Sequence, residues 1–304
     1  MIWPNNKEFA FTIVDDTDDA TIASTQMIYD YLLKKSIYIT KTVWLYDSRD
    51  ENIGLSLQNE EYKQLILDLN TEGFEIALHN VGSGHFTRDE IKRGIEIFQD
   101  IFGYYPQMHI NHNLNPDNLY WGYEKYSFVF RKIIELLKIR NKQFFGNDSK
   151  SKYFWGDIAK EKIKYFRNRD SSKINTLGFD PQMPYKEKSK LKFSNYWFSC
   201  SNGEDLARFN NLLTTENIEI LKKEKGCCIV YTHFGDEFLD KNGNLNSDFK
   251  SKIDFLSTQN AWFAPVSSIL NYLLENRKSE IASEKYLFCL DMKWFFERIF
   301  KTKN

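Results

Sequence analysis

A chain of 304 residues with 41 basic and 42 acidic side chains carries a formal net charge of −1, so no long-range field draws it as a whole to nucleic acid or to an anionic membrane. Its 25 Phe, 17 Tyr and 7 Trp residues supply ample apolar area for one large α/β domain or two modest ones. The four cysteines, Cys200, Cys227, Cys228 and Cys289, show no Cys-x-x-Cys spacing and read as buried thiols of a reducing compartment, which argues against a disulfide framework.

The chain opens without a basic-then-apolar signal pattern, and no apolar run approaches the roughly 18 residues of a spanning helix. The expected location is cytoplasmic. Residues 9–14 form a short β-favouring run that stops at four carboxylates, Asp15, Asp16, Asp18 and Asp19. Like charges this close repel one another unless water, a helix N-terminus, basic side chains or a metal ion offset them. Asp18 and Asp19, with Thr21, can be read as caps of the helix that starts near Ile22. Asp15 and Asp16 end the strand itself, where α/β folds bind ligands.

Helical spacing over 22–35 is followed by a strand at 42–45, a helix over 59–70 and a strand at 74–78, which is βαβ rhythm. The loop His79-Asn-Val-Gly-Ser-Gly-His85 then leads into a helix over 87–102, with Thr87 and Glu90 in capping-box spacing and Gly103 closing it. A strand at 107–110 runs into Asn111-His112-Asn113, and a long helix is expected over 116–140. Residues 141–200, rich in Asn, Lys, Ser and aromatics, predict long loops over the rim. Helices over 204–213 and 215–223 precede an apolar strand at 227–232 that ends on His233. A last strand at 261–263 and a helix over 266–274 follow. No internal repeat or low-complexity linker divides the chain, which predicts a single domain over 1–304.

The tail, 283–304, predicts an amphipathic helix with Phe288, Met292, Phe295 and Ile299 on one face, Cys289 and Phe296 beside them, and Asp291, Glu297 and Lys301 elsewhere. That face either packs on the domain or offers a weak contact to a partner or a membrane surface.

All five histidines, His79, His85, His109, His112 and His233, fall in or just after an apolar run. One such residue, His109 for instance, reads as well as a satisfied core histidine. Five of them beside an acidic strand end read as a ligand set. Asp and His together suit Zn²⁺ or another divalent first-row ion, and three protein ligands leave positions for water and substrate. The ion acidifies a water, and a neighbouring carboxylate takes its proton. Adjacent Asp15 and Asp16 can divide these tasks as base and ligand.

These residues resemble the polysaccharide-deacetylase and carbohydrate-esterase family, often called NodB-like, and in particular a cytoplasmic branch associated with surface-polysaccharide biosynthesis. The resemblance rests on Ile-Val-Asp15-Asp16 at the first strand end, on Glu75-Ile-Ala-Leu-His79, on Ile-Val-Tyr-Thr-His233, and on Trp262-Phe-Ala-Pro-Val-Ser-Ser-Ile-Leu near the end. It implies an irregular (β/α)7-type barrel and a metal-dependent hydrolase that removes an acyl group, N-acetyl first among them, from a sugar or saccharide precursor. It further implies Asp15 as general base, His233 as general acid, and Asp16, His79 and His85 as ligands, with His112 the alternative third ligand.

Two departures stand out. His79 and His85 have five residues between them where the family has three, and the family's Arg-Pro-Tyr motif is replaced by Met108-His-Ile-Asn-His112-Asn. Arg167 or Arg169 can serve for the missing arginine. The expected substrate contacts are His109, His112, Asn113, Arg167, Arg169 and Trp155. Two other readings stay open: a catalytically silent sugar-binding member, whose aromatics Tyr120, Trp121, Phe154, Trp155, Tyr196 and Trp197 stack on saccharide rings or simply fill the core, and an aspartyl phosphatase suggested by Asp16-x-Asp18.

Overall fold

The computed structural model describes residues 3–136, 142–235, 237–276 and 280–301. Its strands are β1 (Phe9–Asp15), β2 (Thr40–Val43), β3 (Glu75–His79), β4 (Met108–Ile110), β5 (Tyr165–Ser171), β6 (Lys186–Glu187), β7 (Tyr196–Asn202), β8 (Cys227–Thr232), β9 (Ala261–Phe263) and β10 (Ile281–Ala282). Seven of them close a parallel barrel in the order β1-β2-β3-β4-β5-β7-β8, back to β1. Closure happens along one edge of β1. Its first half pairs with β9 (Phe9 opposite Ala261), and its last two residues pair with β2 (Val14 opposite Thr40, Asp15 opposite Lys41). The architecture is the expected α/β barrel with helices around it.

Every barrel strand runs the same way, so all their C-terminal ends meet at one rim, and whatever side chains follow those ends are brought together. That is the physical reason why residues 16, 79, 112 and 233 can share a site. β1 and β8 read as near-continuous apolar runs and are buried along almost their whole length, as strands covered on both faces are.

Local signals set most helix ends where the sequence expects them. In helix Arg88–Phe102 the Glu90 carboxylate accepts the Thr87 N–H at 2.8 Å, and Gly103 ends it at φ +78°. Helix Ile22–Lys34 is capped by Thr21, whose hydroxyl accepts from Ser24 N at 3.0 Å. Thr21 is thus the cap, as one part of the reading expected, and Asp18 faces His79 and His112 instead, which corrects the capping reading of it.

Two expectations fail for identifiable reasons. The long helix over 116–140 is absent from the described residues. A loop leads to a 3-10 turn at Gly122–Lys125 and a helix at Phe128–Leu136, and residues 137–140 lie outside the described residues. The cause is side-chain amides that occupy backbone groups a helix would need. Asn111 bonds both the N–H (3.0 Å) and the carbonyl (2.9 Å) of Leu119, and Asn118 donates to the carbonyls of His112 and Asn113. Residues 141–200 are not loops alone, because β5 and β7 lie within them. β5 reads Tyr-Phe-Arg-Asn-Arg-Asp-Ser, too polar for the usual strand pattern, because its inner face lines the site. A bulge between Arg167 and Asp170 in its pairing with β7 turns both those side chains toward the same cavity.

The C-terminal helix Glu284–Lys301 packs on the domain, and the expected face takes part: the rings of Phe288 and Phe295 lie 6.5 and 5.7 Å from that of Phe130 on helix Phe128–Leu136. Leu287, Leu290 and Asp291 are the buried positions. Asp291 accepts from Arg169 at 2.6 and 2.8 Å, and Glu297 from the Ser171 and Ser172 hydroxyls. Phe296 stays exposed, and so does Cys289, which corrects the expectation of four buried thiols. The side chains of Ile299 and Lys301 lie outside what is described. No described helix is long and apolar enough to cross a membrane.

Candidate active site

The rim at the strand ends holds a cavity of about 540 Å³, bordered by Asp16, Asp18, His79, His112, Arg167 and His233 among others. At its floor the ligand atoms of Asp18, His79 and His112 lie within 4.8 Å of one another. His112 Nε2 is 2.7 Å from Asp18 Oδ1 and His79 Nε2 is 3.1 Å from Oδ2, with the two imidazole rings edge-on at 4.9 Å between centroids.

The second nitrogen of each ring is already committed. His79 Nδ1 faces the Ile110 carbonyl at 3.3 Å, and that oxygen can only accept. His112 Nδ1 faces Asn115 Oδ1 at 3.2 Å. The Asn115 amide is oriented by its other bonds, since Oδ1 accepts from Gly84 N–H (2.9 Å) and Nδ2 donates to the Gly82 carbonyl (2.8 Å). Both histidines therefore keep their proton on Nδ1 when neutral and turn a bare Nε2 lone pair on the Asp18 carboxylate. Three electron-rich groups facing one point repel unless a cation or protons sit between them. Such a donor set, with each ring held from behind, suits a divalent metal ion.

The electrostatics agree. Burial opposes ionisation of Asp18, but the two imidazoles outweigh it and hold the carboxyl well below its usual range. Burial pushes His79 down, and the nearby carboxylates only partly restore it; at His112 burial also acts downward, but the Asp18 hydrogen bond wins and raises it.

Asp16 is a separate unit. Arg167 grips it with both terminal nitrogens, at 3.2 and 2.7 Å, while the guanidinium stacks on the Tyr231 ring at 4.6 Å. Burial alone would raise the Asp16 carboxyl, and Arg167, with His79 and His233 behind it, leaves it below its usual value and ionised at neutral pH. His233 is anchored through Nδ1 on the Glu204 carbonyl at 2.9 Å. Its Nε2 points into the cavity, 3.9 Å from Asp16 Oδ2 and 3.8 Å from Asp18 Oδ2.

The residues expected as base and ligands are placed differently from one another. Asp15, expected as base, does not border the cavity. Its carboxylate faces Lys41 Nζ (2.9 Å) and accepts from the Tyr29 hydroxyl and the Phe234 N–H, both at 3.0 Å. Asp16 is not in the ligand cluster, and neither is His85, which is exposed on the glycine loop with Nδ1 3.3 Å from the Tyr153 hydroxyl. His112, the alternative third ligand, stands where His85 was expected. The residue missed altogether is Asp18. Its signal was its place among the four carboxylates that follow the first strand, in the turn just beyond β1.

Among the expected substrate contacts, His112, Asn113 and Arg167 border the cavity. His109 does not. Its ring packs edge-on against Trp155 and Phe166, Nε2 meets Asn111 Oδ1 at 3.2 Å, and burial pulls its pKa down to about 3, as for a neutral core histidine. Trp155 is also core, its indole N–H donating to the Asp117 carbonyl at 2.7 Å. Arg169 touches the cavity wall, but its donors go to Asp291, Tyr185 and the Lys125 carbonyl. Of the six aromatics proposed to stack on sugars, Trp121 alone borders this cavity.

No protein-family profile matches the chain, and no curated protein matches it. Solved structures do. A Mycobacterium smegmatis protein assigned to the polysaccharide deacetylases superposes with a TM-score of 0.55 at 12% identity, covering 93% of this chain and 96% of its own. A second protein so assigned, from Pseudomonas aeruginosa PAO1, gives 0.55 at 10% identity, with 90% and 94% covered. The Puue allantoinase gives 0.57 at 12% identity, with 90% and 93% covered. At these identities the likeness is one of fold: the barrel is the one found in polysaccharide deacetylases and in an allantoinase.

Proposed function

We propose that this chain is a divalent-metal-dependent hydrolase that removes an acyl group, N-acetyl first among them, from an amino sugar or saccharide precursor. The observation that carries the reading is the pair of histidines whose Nδ1 atoms are committed to acceptors, so that both Nε2 lone pairs converge with Asp18 on one point. In this reading Asp18, His79 and His112 hold the ion, a set that differs from the sequence expectation by Asp18 for Asp16 and His112 for His85. A cation held there supplies a Lewis acid that acidifies a water and polarises the acyl carbonyl.

The remaining steps belong to the side chains. Asp16, kept ionised and oriented by Arg167, takes the proton of the attacking water. His233, across the cavity and fixed through Nδ1, carries a proton on Nε2 to the leaving amine nitrogen. Enclosure of the floor by buried strand ends keeps bulk water from screening these charges. Two of the similar folds are assigned to polysaccharide deacetylases and the third is an allantoinase, so the fold supports an amide-cleaving chemistry without selecting the substrate.

The test is elemental analysis of the purified protein followed by acetate release from N-acetylated sugars and their nucleotide derivatives. One divalent ion per chain, and acetate release that stops on chelation and returns with Zn²⁺, are expected. Protein that takes up no divalent ion and releases no acetate from any of them overturns the proposal.

A further inference from the structure

The cavity wall beyond the metal cluster carries a cation that none of the assigned roles uses. Lys125 ends the 3-10 turn Gly122–Lys125 and is only 8% exposed, yet it borders the cavity. Its ammonium lies over three rings, 4.8 Å from the centroid of Trp121, 5.5 Å from Tyr126 and 4.5 Å from Trp294. Among the described residues, no hydrogen-bond acceptor is recorded for its Nζ, whereas the acids nearby are already matched. Asp170 accepts from Arg298 twice at 2.9 Å and from Asn202 at 3.1 Å, and Asp291 is taken by Arg169.

Ring faces attract an ammonium, but an enclosed lysine with no acceptor is still far from the solvation water gives it. Burial, only partly offset by Asp170, pulls it down to about 8. An anion entering the cavity would restore what burial removed, and Trp121, whose ring the ammonium overlies, borders the same cavity.

We propose that Lys125 is an anion-recognition site for the substrate, so that the acylated sugar carries a phosphate or a carboxylate. This rests on the saccharide reading of the same cavity. The arrangement puts an unmatched positive charge beside an aromatic ring on the cavity wall, a combination suited to an acidic or phosphorylated amino sugar and wasted on a neutral one. A charge-assisted hydrogen bond in such a site is among the stronger polar contacts.

Calorimetry on the Zn²⁺-loaded protein with glucosamine, glucosamine 1-phosphate and 2-amino-2-deoxyglucuronic acid tests it. These ligands lack the acyl group and cannot be turned over, so the result stands whether or not the deacylase reading does. At least one anionic ligand is expected to bind about tenfold or more tighter than glucosamine, and which of the two it is separates a sugar phosphate from an acidic sugar. Lys125→Met should bring that ratio close to one with metal content unchanged, and Lys125→Arg should keep most of it. A wild-type ratio near one for both anions overturns the proposal, as does a ratio that survives in folded Lys125→Met. If Lys125→Met does not fold, acylation of the wild-type amine decides, read by peptide mass spectrometry: protection by the preferred anion supports the site, and unchanged labelling overturns it.

Discussion

Asp15 and Asp18 stand three residues apart at the end of one strand, and the barrel puts them to opposite uses. Asp15 is 1% exposed and turned toward Lys41, itself fully enclosed, with Tyr29 and Phe234 completing its bonds. Asp18 meets two imidazoles and remains open to the cavity. Asp16 lies between these cases, as buried as Asp15 and held by one arginine, but bordering the cavity. A buried acid matched on every side has no capacity left for a ligand, whereas one that faces bare imidazole nitrogens, or is matched along one edge only, keeps that capacity. What separates structure from function here is therefore the partner each carboxylate meets.

The largest effect should come from the open half of this pair. Asp18→Ala or His112→Ala removes one of three ligands and should abolish metal retention, while His85→Ala, on an exposed loop, should keep the metal and change stability by no more than about 0.5 kcal/mol. Elemental analysis of the three variants reads this directly, and metal loss in His85→Ala with retention in His112→Ala would move the third ligand back to the glycine loop.

Next in size is Asp16→Asn. It should keep the metal and lower kcat by roughly 10²–10⁴-fold, because the amide cannot take the proton of the attacking water. If Asp16→Asn instead loses the metal with full activity recoverable at high Zn²⁺, Asp16 is a ligand and the base lies elsewhere.

Asp15→Asn is expected to act on stability. It strands Lys41 in the interior without a counter-charge, at a cost of about 3–5 kcal/mol, visible as a lower denaturation midpoint, with metal affinity in the folded protein little changed. Burial alone would lower Lys41 and Asp15 is what holds it above its usual value, so Asp15→Asn/Lys41→Met should regain much of the loss. A double variant no more stable than the single one would show that the ion pair is not the reason.

The smallest effect belongs to a third buried acid, matched by a proton. Asp117 accepts from Asn80 Nδ2 at 2.6 Å on one oxygen, its other oxygen has no partner, and burial pushes its pKa up to about 7. A carboxyl raised in the folded state stays protonated where the unfolded chain has ionised, so stability falls as pH rises from about 4 to about 7 and the full penalty remains above that. The loss is on the order of 1–4 kcal/mol. Urea midpoints at pH 5 and pH 8 should differ less in Asp117→Asn than in the wild type, and equal differences would mean Asp117 is ionised in the fold.

The βαβ rhythm was legible from residues 9 to 110 and again from 204 to 275, where apolar strands alternate with capped amphipathic helices. So was the gathering of Asp, His79, His112 and His233 at one rim. The stretch between was not, because β5 and the Asn-rich loop after β4 spend polar residues on the cavity and on backbone groups, which removes the periodicity by which strands and helices are recognised. In the C-terminal helix the apolar spacing marked the side that meets Phe130, but not Asp291, which docks on a buried arginine.

Within the sequence alone lay the alternation of strands and helices, the acidic first strand end and the histidines that follow the later ones, since these depend on local period and on the rule that parallel strands end together; the barrel was what the family resemblance implied. Which carboxylate would be spent was decided only in three dimensions. Lys41 is 26 positions from Asp15, Arg167 lies 151 from Asp16, and His112 lies 94 from Asp18; a charge chooses its partner by distance in space and by the water lost around it, and spacing along the chain carries neither.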